Sequence, residues 1–194
     1  MKIISMSGSL RESVGKKDAK KLRYEGKVPC VLYGGEKQIQ FAMETTEFKD
    51  LIFSPEIAYV EINIDGTVYK ATLQDVQYHV VTGNILHADF LQIHDDKPIM
   101  MSVPVKTKGT SAGVLKGGVL AIKLRTLKVK ALPGDMPENI YVDITKLDIG
   151  NSTKVNQIET NNFTLLDSPN AVVVTIRMTR AAAAAAAAEK KAGK

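Results

Sequence analysis

Residues 57–76 read IAYVEINIDGTVYKATLQDV, and this stretch decides the fold class. Two runs, Ile57–Ile64 and Thr67–Val76, alternate apolar and polar residues at the period of a half-buried strand. Between them stands Asp65-Gly66, a pair that tolerates the positive φ values of a type I′ turn and so joins strands into a tight hairpin.

The same pattern extends in both directions. Upstream, Met1–Leu10 alternates weakly, with Ile4, Met6 and Leu10 opposite Ser5, Ser7 and Ser9. A short helix is predicted over Asp18–Glu25, with Gly26 as its C-terminal stop. Pro29–Tyr33 reads as a strand ended by Gly34-Gly35, and Gln38–Glu44 as another that points Ile39, Phe41 and Met43 one way. Thr45 or Thr46 can N-cap a second short helix that packs Phe48, Leu51 and Ile52 inward before Pro55. Downstream, a further pair of strands surrounds Thr82-Gly83-Asn84 and ends in Leu86–Leu91. Six short strands with regular turns predict a small six-stranded β-barrel with short helices.

His94–Pro98 is polar and reads as a linker. Beyond it, strands are expected at Ile99–Val105, Val119–Lys130, Ile140–Ile144, Thr153–Gln157, Phe163–Leu166 and Ala171–Arg177, punctuated by proline, glycine and asparagine. The chain is thus expected to be mainly β with minor α, with a barrel domain over 1–93, a mostly β domain over 94–180 and a low-complexity, disordered Ala/Lys tail over 181–194. No βαβ alternation points to a nucleotide-binding α/β fold.

The 194 residues carry a net charge of +5, and its distribution says more than its size. Residues 1–30 hold eight basic side chains against three acidic, while the rest of the chain balances 18 with 18. Such clustering is the footprint of a polyanion site, with a solvated lysine-rich helix face as the alternative. The lone Cys30 excludes an intramolecular disulfide and lies in an apolar stretch, as a small core residue does. No run approaches the roughly 20 apolar residues of a membrane span, and no signal-peptide pattern opens the chain. A soluble, cytoplasmic protein is expected.

Three groups of residues are candidates for function. Lys16, Lys20, Arg23 and Lys27 fall at spacings of four, three and four, which aligns them on one side of a helix and its flanks. Such cations gain from a phosphate backbone that neutralises them and releases counterions. Gln74, Gln77, His79, His87 and Asp89 supply amides, imidazoles and a carboxylate on alternating strand positions, suited to base edges and 2′-hydroxyls in a shallow RNA groove. His79, His87, Asp89 and His94 are also metal-ligand types, although no spacing signature supports a metal site. Third, Lys106–Lys130 holds seven basic residues and no acidic one (Lys106, Lys108, Lys116, Lys123, Arg125, Lys128 and Lys130), either an exposed sheet face or a secondary RNA contact. Gly109–Gly118 contains four glycines without matching a phosphate-binding loop. No nucleophile elbow, catalytic carboxylate pair or thiolate site is present.

Two blocks carry a family resemblance. Gly15-Lys16-Lys17-Asp18-Ala19-Lys20-Lys21-Leu22-Arg23, with Gly26-Lys27-Val28-Pro29 and Val31-Leu32-Tyr33-Gly34-Gly35, resembles the N-terminal signature of the bacterial 5S rRNA-binding L-twenty-five family, also called general stress protein Ctc. Gln74-Asp75-Val76-Gln77 with Leu86-His87-Ala88-Asp89-Phe90 is similar to its second signature, and Gly109 to Gly118 with Leu132-Pro133 through Asp143-Ile144 to the C-terminal β domain of its longer members. The resemblance implies a non-enzymatic, cofactor-free protein of the large ribosomal subunit. Its RNA contacts would fall on Lys16, Lys20, Arg23, Tyr33, Gln74, His87 and Asp89. Tyr78 and Lys20 stand where some members have Arg. Tyr78 would exchange a phosphate cation for a ring that stacks or hydrogen-bonds, and Lys20 a bidentate fork for a point charge. The rivals are a β-domain protein–protein adaptor and, behind it, a metal-dependent hydrolase.

Overall fold

A computed structural model of the protein describes residues 1–180, so the expectation for the 181–194 tail lies outside the described residues. Contacts divide the chain into two compact units. One is built from Met1–Ile99 with Leu132–Gly134, the other, among the described residues, from Met100–Ala131 and 135–180.

The first unit is a closed six-stranded barrel, as the alternating pattern predicts. In chain order its strands are β1 (Lys2–Leu10), β2 (Lys27–Tyr33), β3 (Ile39–Glu44), β4 (Ala58–Ile64), β5 (Thr67–Tyr78) and β6 (Ile85–Gln92). Around the barrel they run β1-β3-β2-β6-β5-β4 and back to β1. Four junctions are antiparallel, while β1 with β4 and β2 with β6 are parallel. Asp65 (φ 47°) and Gly66 (φ 91°) take the positive angles of the expected hairpin turn.

Alternate residues of these strands fill the interior. Phe41, Phe90, Val60, Ile62 and Cys30 are fully buried, and Phe48 closes one side of the core. Cys30 is therefore the core residue expected, and burial pushes its thiol far above the ordinary range, with Asp89 adding to the effect. Gly8 is needed in β1 because a Cβ there would come within 2.7 Å of the Phe41 ring. Leu10, grouped by alternation with the buried Met6, is 52% exposed, because the pairing of β1 with β4 ends at Gly8.

The helices differ in detail. α1 spans Lys16–Tyr24, two residues earlier than expected at its start, and Gly26 follows its C-cap with φ 80°. Lys27 belongs to β2 rather than to a helix flank, opposite Glu44 of β3. Thr45–Phe48 forms a 3-10 turn leading into α2 (Lys49–Ile52), and neither threonine caps it. The Thr45 hydroxyl instead donates to the Gly26 carbonyl at 2.6 Å, satisfying the chain that leaves α1.

The second unit is mostly β. Its strands are β7 (Ile99–Lys108), β8 (Val119–Ile122), β9 (Thr126–Ala131), β10 (Ile140–Asp143), β11 (Ser152–Lys154), β12 (Thr164–Leu165) and β13 (Val172–Arg177). A four-stranded sheet runs β10-β7-β9-β12 and a three-stranded sheet β11-β13-β8. The single strand expected over Val119–Lys130 is two. At the break, the Lys123 and Leu124 amides both reach the Val173 carbonyl, which hands the chain from one sheet to the other. A one-turn helix, α3 (Ala112–Leu115), lies in the glycine-rich loop and is capped by Ser111, which accepts from the Gly113 amide at 3.1 Å.

Candidate nucleic-acid interface

α1 has no buried residue; Ala19 and Leu22 are half-buried and Lys16, Lys17, Lys20, Lys21 and Arg23 are exposed. A nine-residue helix this polar does not hold its position by core packing. Two side chains fix it instead. Arg11, in the loop before the helix, is only 8% exposed and sets Nη2 2.8 Å from Asp18 in the first turn. At the other end Arg23 Nε donates to the Leu86 carbonyl of β6 at 3.0 Å. The remaining cations stay on the surface: Lys20 Nζ lies 5.8 Å from the centre of the Tyr24 ring, and Lys21 is 3.9 Å from Glu25.

The Arg23 contact lands one residue from His87, so the basic helix adjoins the polar face of β5 and β6. On that face Gln77 sits opposite His87 and Asp75 opposite Asp89, while Val31 of β2 flanks Asp89. His87 Nδ1 is 2.9 Å from Asp89 Oδ1. A ring that donates through Nδ1 to this carboxylate presents Nε2 outward as an acceptor when neutral. Tyr33, at the end of β2, is held protonated by burial and then by the carboxylates of Asp89 and Asp75, which all raise its phenol. Its hydroxyl is therefore available as a donor.

The structure brings Lys16, Lys20, Arg23, Tyr33, Gln77, His87 and Asp89 onto adjoining elements of the barrel, and it leaves others apart. Gln74 lies at a register shift between Leu73 and Asp75. Tyr78 ends β5 and is 48% exposed. His79 does not share a strand face with Gln77, because a second register shift follows Gln77 and the strand stops. Its Nδ1 instead accepts from the amides of Val81 and Thr82 and shapes the turn. His94 lies in a different segment with Nε2 2.9 Å from the Gly34 carbonyl. The histidines thus do not converge, and among the described residues no three His, Cys, Asp or Glu are placed to hold a metal.

Two participants were not visible as such in the sequence. Arg11 is one basic residue among many until its pairing with Asp18 is seen. Asp75 stands in the quoted Gln-Asp-Val-Gln block, but its place opposite Asp89 depends on strand register. In the second unit, Lys116 pairs with Asp148 at 2.6 Å, and Lys123 and Arg125 fall at the break between β8 and β9. Lys106, Lys108, Lys128 and Lys130 occupy exposed strand positions.

Comparison with known proteins matches the described chain almost end to end. Residues 6–90 match the Ribosomal L25p family, and residues 98–180 match the C-terminal domain of ribosomal protein TL5. The chain is 43% identical over 181 residues to the large ribosomal subunit protein bL25 of Cytophaga hutchinsonii, covering 93% of this chain and 94% of that one. It is 43% identical to the bL25 of Phocaeicola vulgatus, over 94% and 96% of the two chains. With the bL25 of Christiangramia forsetii the identity is 45%, over 93% and 83%. The chain belongs to the bL25 family. Membership in bL25 agrees with the resemblance carried by the two N-terminal blocks and by the C-terminal β domain. It also makes the chain a non-enzymatic protein of a structural family, so the His87–Asp89 pair is no catalytic dyad.

Proposed function

We propose that this protein is a structural component of the large ribosomal subunit, in the cytoplasm, and that its barrel binds 5S rRNA. The observation that carries the reading is the Arg23–Leu86 hydrogen bond, which sets a cationic helix beside a neutral-to-acidic strand face. A folded RNA presents both kinds of partner at that spacing. Its backbone takes Lys16, Lys20 and Arg23, whereas carboxylates and amides are repelled by or indifferent to phosphate and suit base amino groups and 2′-hydroxyls. On this reading Tyr33, Gln77, His87 and Asp89 read the groove, while Gln74, at the first register shift of β5, and Tyr78 and His79, where β5 ends, stand at its margin.

Lys20→Ala removes a phosphate contact alone, while Arg23→Ala also frees the helix end from β6. Each variant is expected to flatten the plot of log K against log salt by about one unit, with the larger affinity loss in Arg23→Ala. Filter binding to 5S rRNA across a salt series measures this, and unchanged slopes would take the helix out of the site.

His87→Ala deletes a group that contacts bases rather than phosphate. It should weaken binding to 5S rRNA about tenfold while leaving binding to an unrelated duplex nearly intact. Equal losses on both RNAs would count against groove reading.

A further inference from the structure

The outer face of the four-stranded sheet in the second unit carries a separate charge pattern. In β7, Val103 and Val105 are buried, so Lys106 and Lys108 at the alternate positions point outward. In the neighbouring β9, Leu127 and Val129 are buried, and Lys128 and Lys130 point the same way. The Val105 amide donates to the Arg125 carbonyl at 2.8 Å, just before β9 begins, so Lys106 and Lys108 lie toward one end of the face and Lys128 and Lys130 toward the other. Successive lysines along a strand stand about 6.8 Å apart, and adjacent strands about 4.8 Å apart. None of the four forms a salt bridge among the described residues. β10 borders them with Tyr141 opposite Lys106 and Asp143 opposite Lys108. Asp143 is occupied, accepting from the Thr145 amide at 2.9 Å and its hydroxyl at 2.6 Å.

Within each strand the two lysines repel one another, and exposed positions beside a buried row carry no requirement for lysine. The arrangement is relieved by a partner whose fixed negative charges run in a row along the face, as those of a phosphate backbone do. We infer that this face, through Lys106, Lys108, Lys128 and Lys130, is a second RNA-backbone contact, separate from the one on the barrel. The face offers point charges and a single exposed ring, Tyr141, with no cluster of amides or imidazoles, so it grips phosphates without reading sequence. The inference rests on the proposed ribosomal role only in taking RNA, rather than another polyanion, as the partner.

The test compares the full chain with a variant carrying Lys106→Gln, Lys108→Gln, Lys128→Gln and Lys130→Gln. The probe is an RNA duplex of arbitrary sequence, titrated over a salt series. A control neutralises Lys37, Lys49, Lys70 and Lys97, four exposed lysines of the barrel unit, to glutamine. The sheet-face variant is expected to bind at least about tenfold more weakly near 0.1 M salt and to flatten the salt slope by about three units, with the control close to wild type. An unchanged slope would overturn the inference and leave an acidic protein surface as the partner of the face. Equal losses in variant and control would overturn it too, since net charge alone would then suffice. Failure of the barrel to hold 5S rRNA would appear in the Lys20 and Arg23 variants and leave this measurement intact.

Discussion

Phe90→Ala is expected to lower the stability of the barrel by about 3–5 kcal/mol. The Phe90 side chain is completely buried, with its ring centre 5.9 Å from that of Phe41 and 6.3 Å from that of Phe48, both tilted. Truncation removes the transfer free energy of a benzyl group, leaves a cavity that a closed sheet cannot collapse, and abolishes two aromatic contacts at once. Urea denaturation followed by far-UV circular dichroism measures the loss. A change below about 1 kcal/mol would mean that the barrel interior repacks freely. Phe90 also adjoins Asp89 in β6, so the same variant should lose RNA affinity in proportion to the fraction unfolded, and regain it when a stabilising osmolyte refolds the barrel.

Arg11→Ala is expected to cost about 2 kcal/mol of stability and to weaken 5S rRNA binding by more than the removal of one surface cation. The Arg11 side chain is 8% exposed, so it has little access to a phosphate. Its work is internal. Nη2 and Nε both reach Asp18 Oδ2, at 2.8 and 3.3 Å, and Nη2 also approaches the Ser13 carbonyl at 3.4 Å. Losing it strands the Asp18 carboxylate and unties the loop that feeds α1, so Lys16 and Lys20 lose their fixed positions. A double-mutant cycle with Asp18→Ala separates the pair from its surroundings. Coupling near zero, with RNA binding unchanged in Arg11→Ala, would assign the helix position to Arg23 alone.

Local signals in the chain were legible and non-local ones were not. The Asp65-Gly66 hairpin, the interior position of Cys30 and the glycine after α1 each depend on a few neighbouring residues, and each is found as expected. In the stretch over Val119–Lys130, Arg125-Thr126 put two polar residues in succession and Leu124 and Leu127 on opposite faces, and at this break the Val173 carbonyl takes the Lys123 and Leu124 amides. His79 misleads for a similar reason, since two register shifts in β5 decide which side chains share a face and neither leaves a mark in composition. α3 has four residues, too few to show a period, and includes a glycine that a Cβ would drive to 2.7 Å from the Ile149 amide nitrogen. At the candidate site the cations were visible as a cluster, but of the two anchors Arg11 to Asp18 depends on how the loop between them folds, and Arg23 to Leu86 joins residues far apart in the chain.

The parallel pairings of the barrel bear on how the chain acquires its shape during synthesis. β1 aligns with β4, from Lys2 beside Ala58 to Gly8 beside Ile64, and β2 aligns with β6 through Cys30 and Ala88. Neither seam can be zipped from a neighbouring turn, so as the nascent polypeptide emerges both must wait for segments made much later. Until residues 85–92 have been translated, one flank of β2 is an open edge, and Arg23 has no Leu86 carbonyl to grasp. On the proposed reading, competence to hold RNA therefore arrives last, with the sixth strand, and a chain arrested before it would carry its positive charges on an unanchored helix.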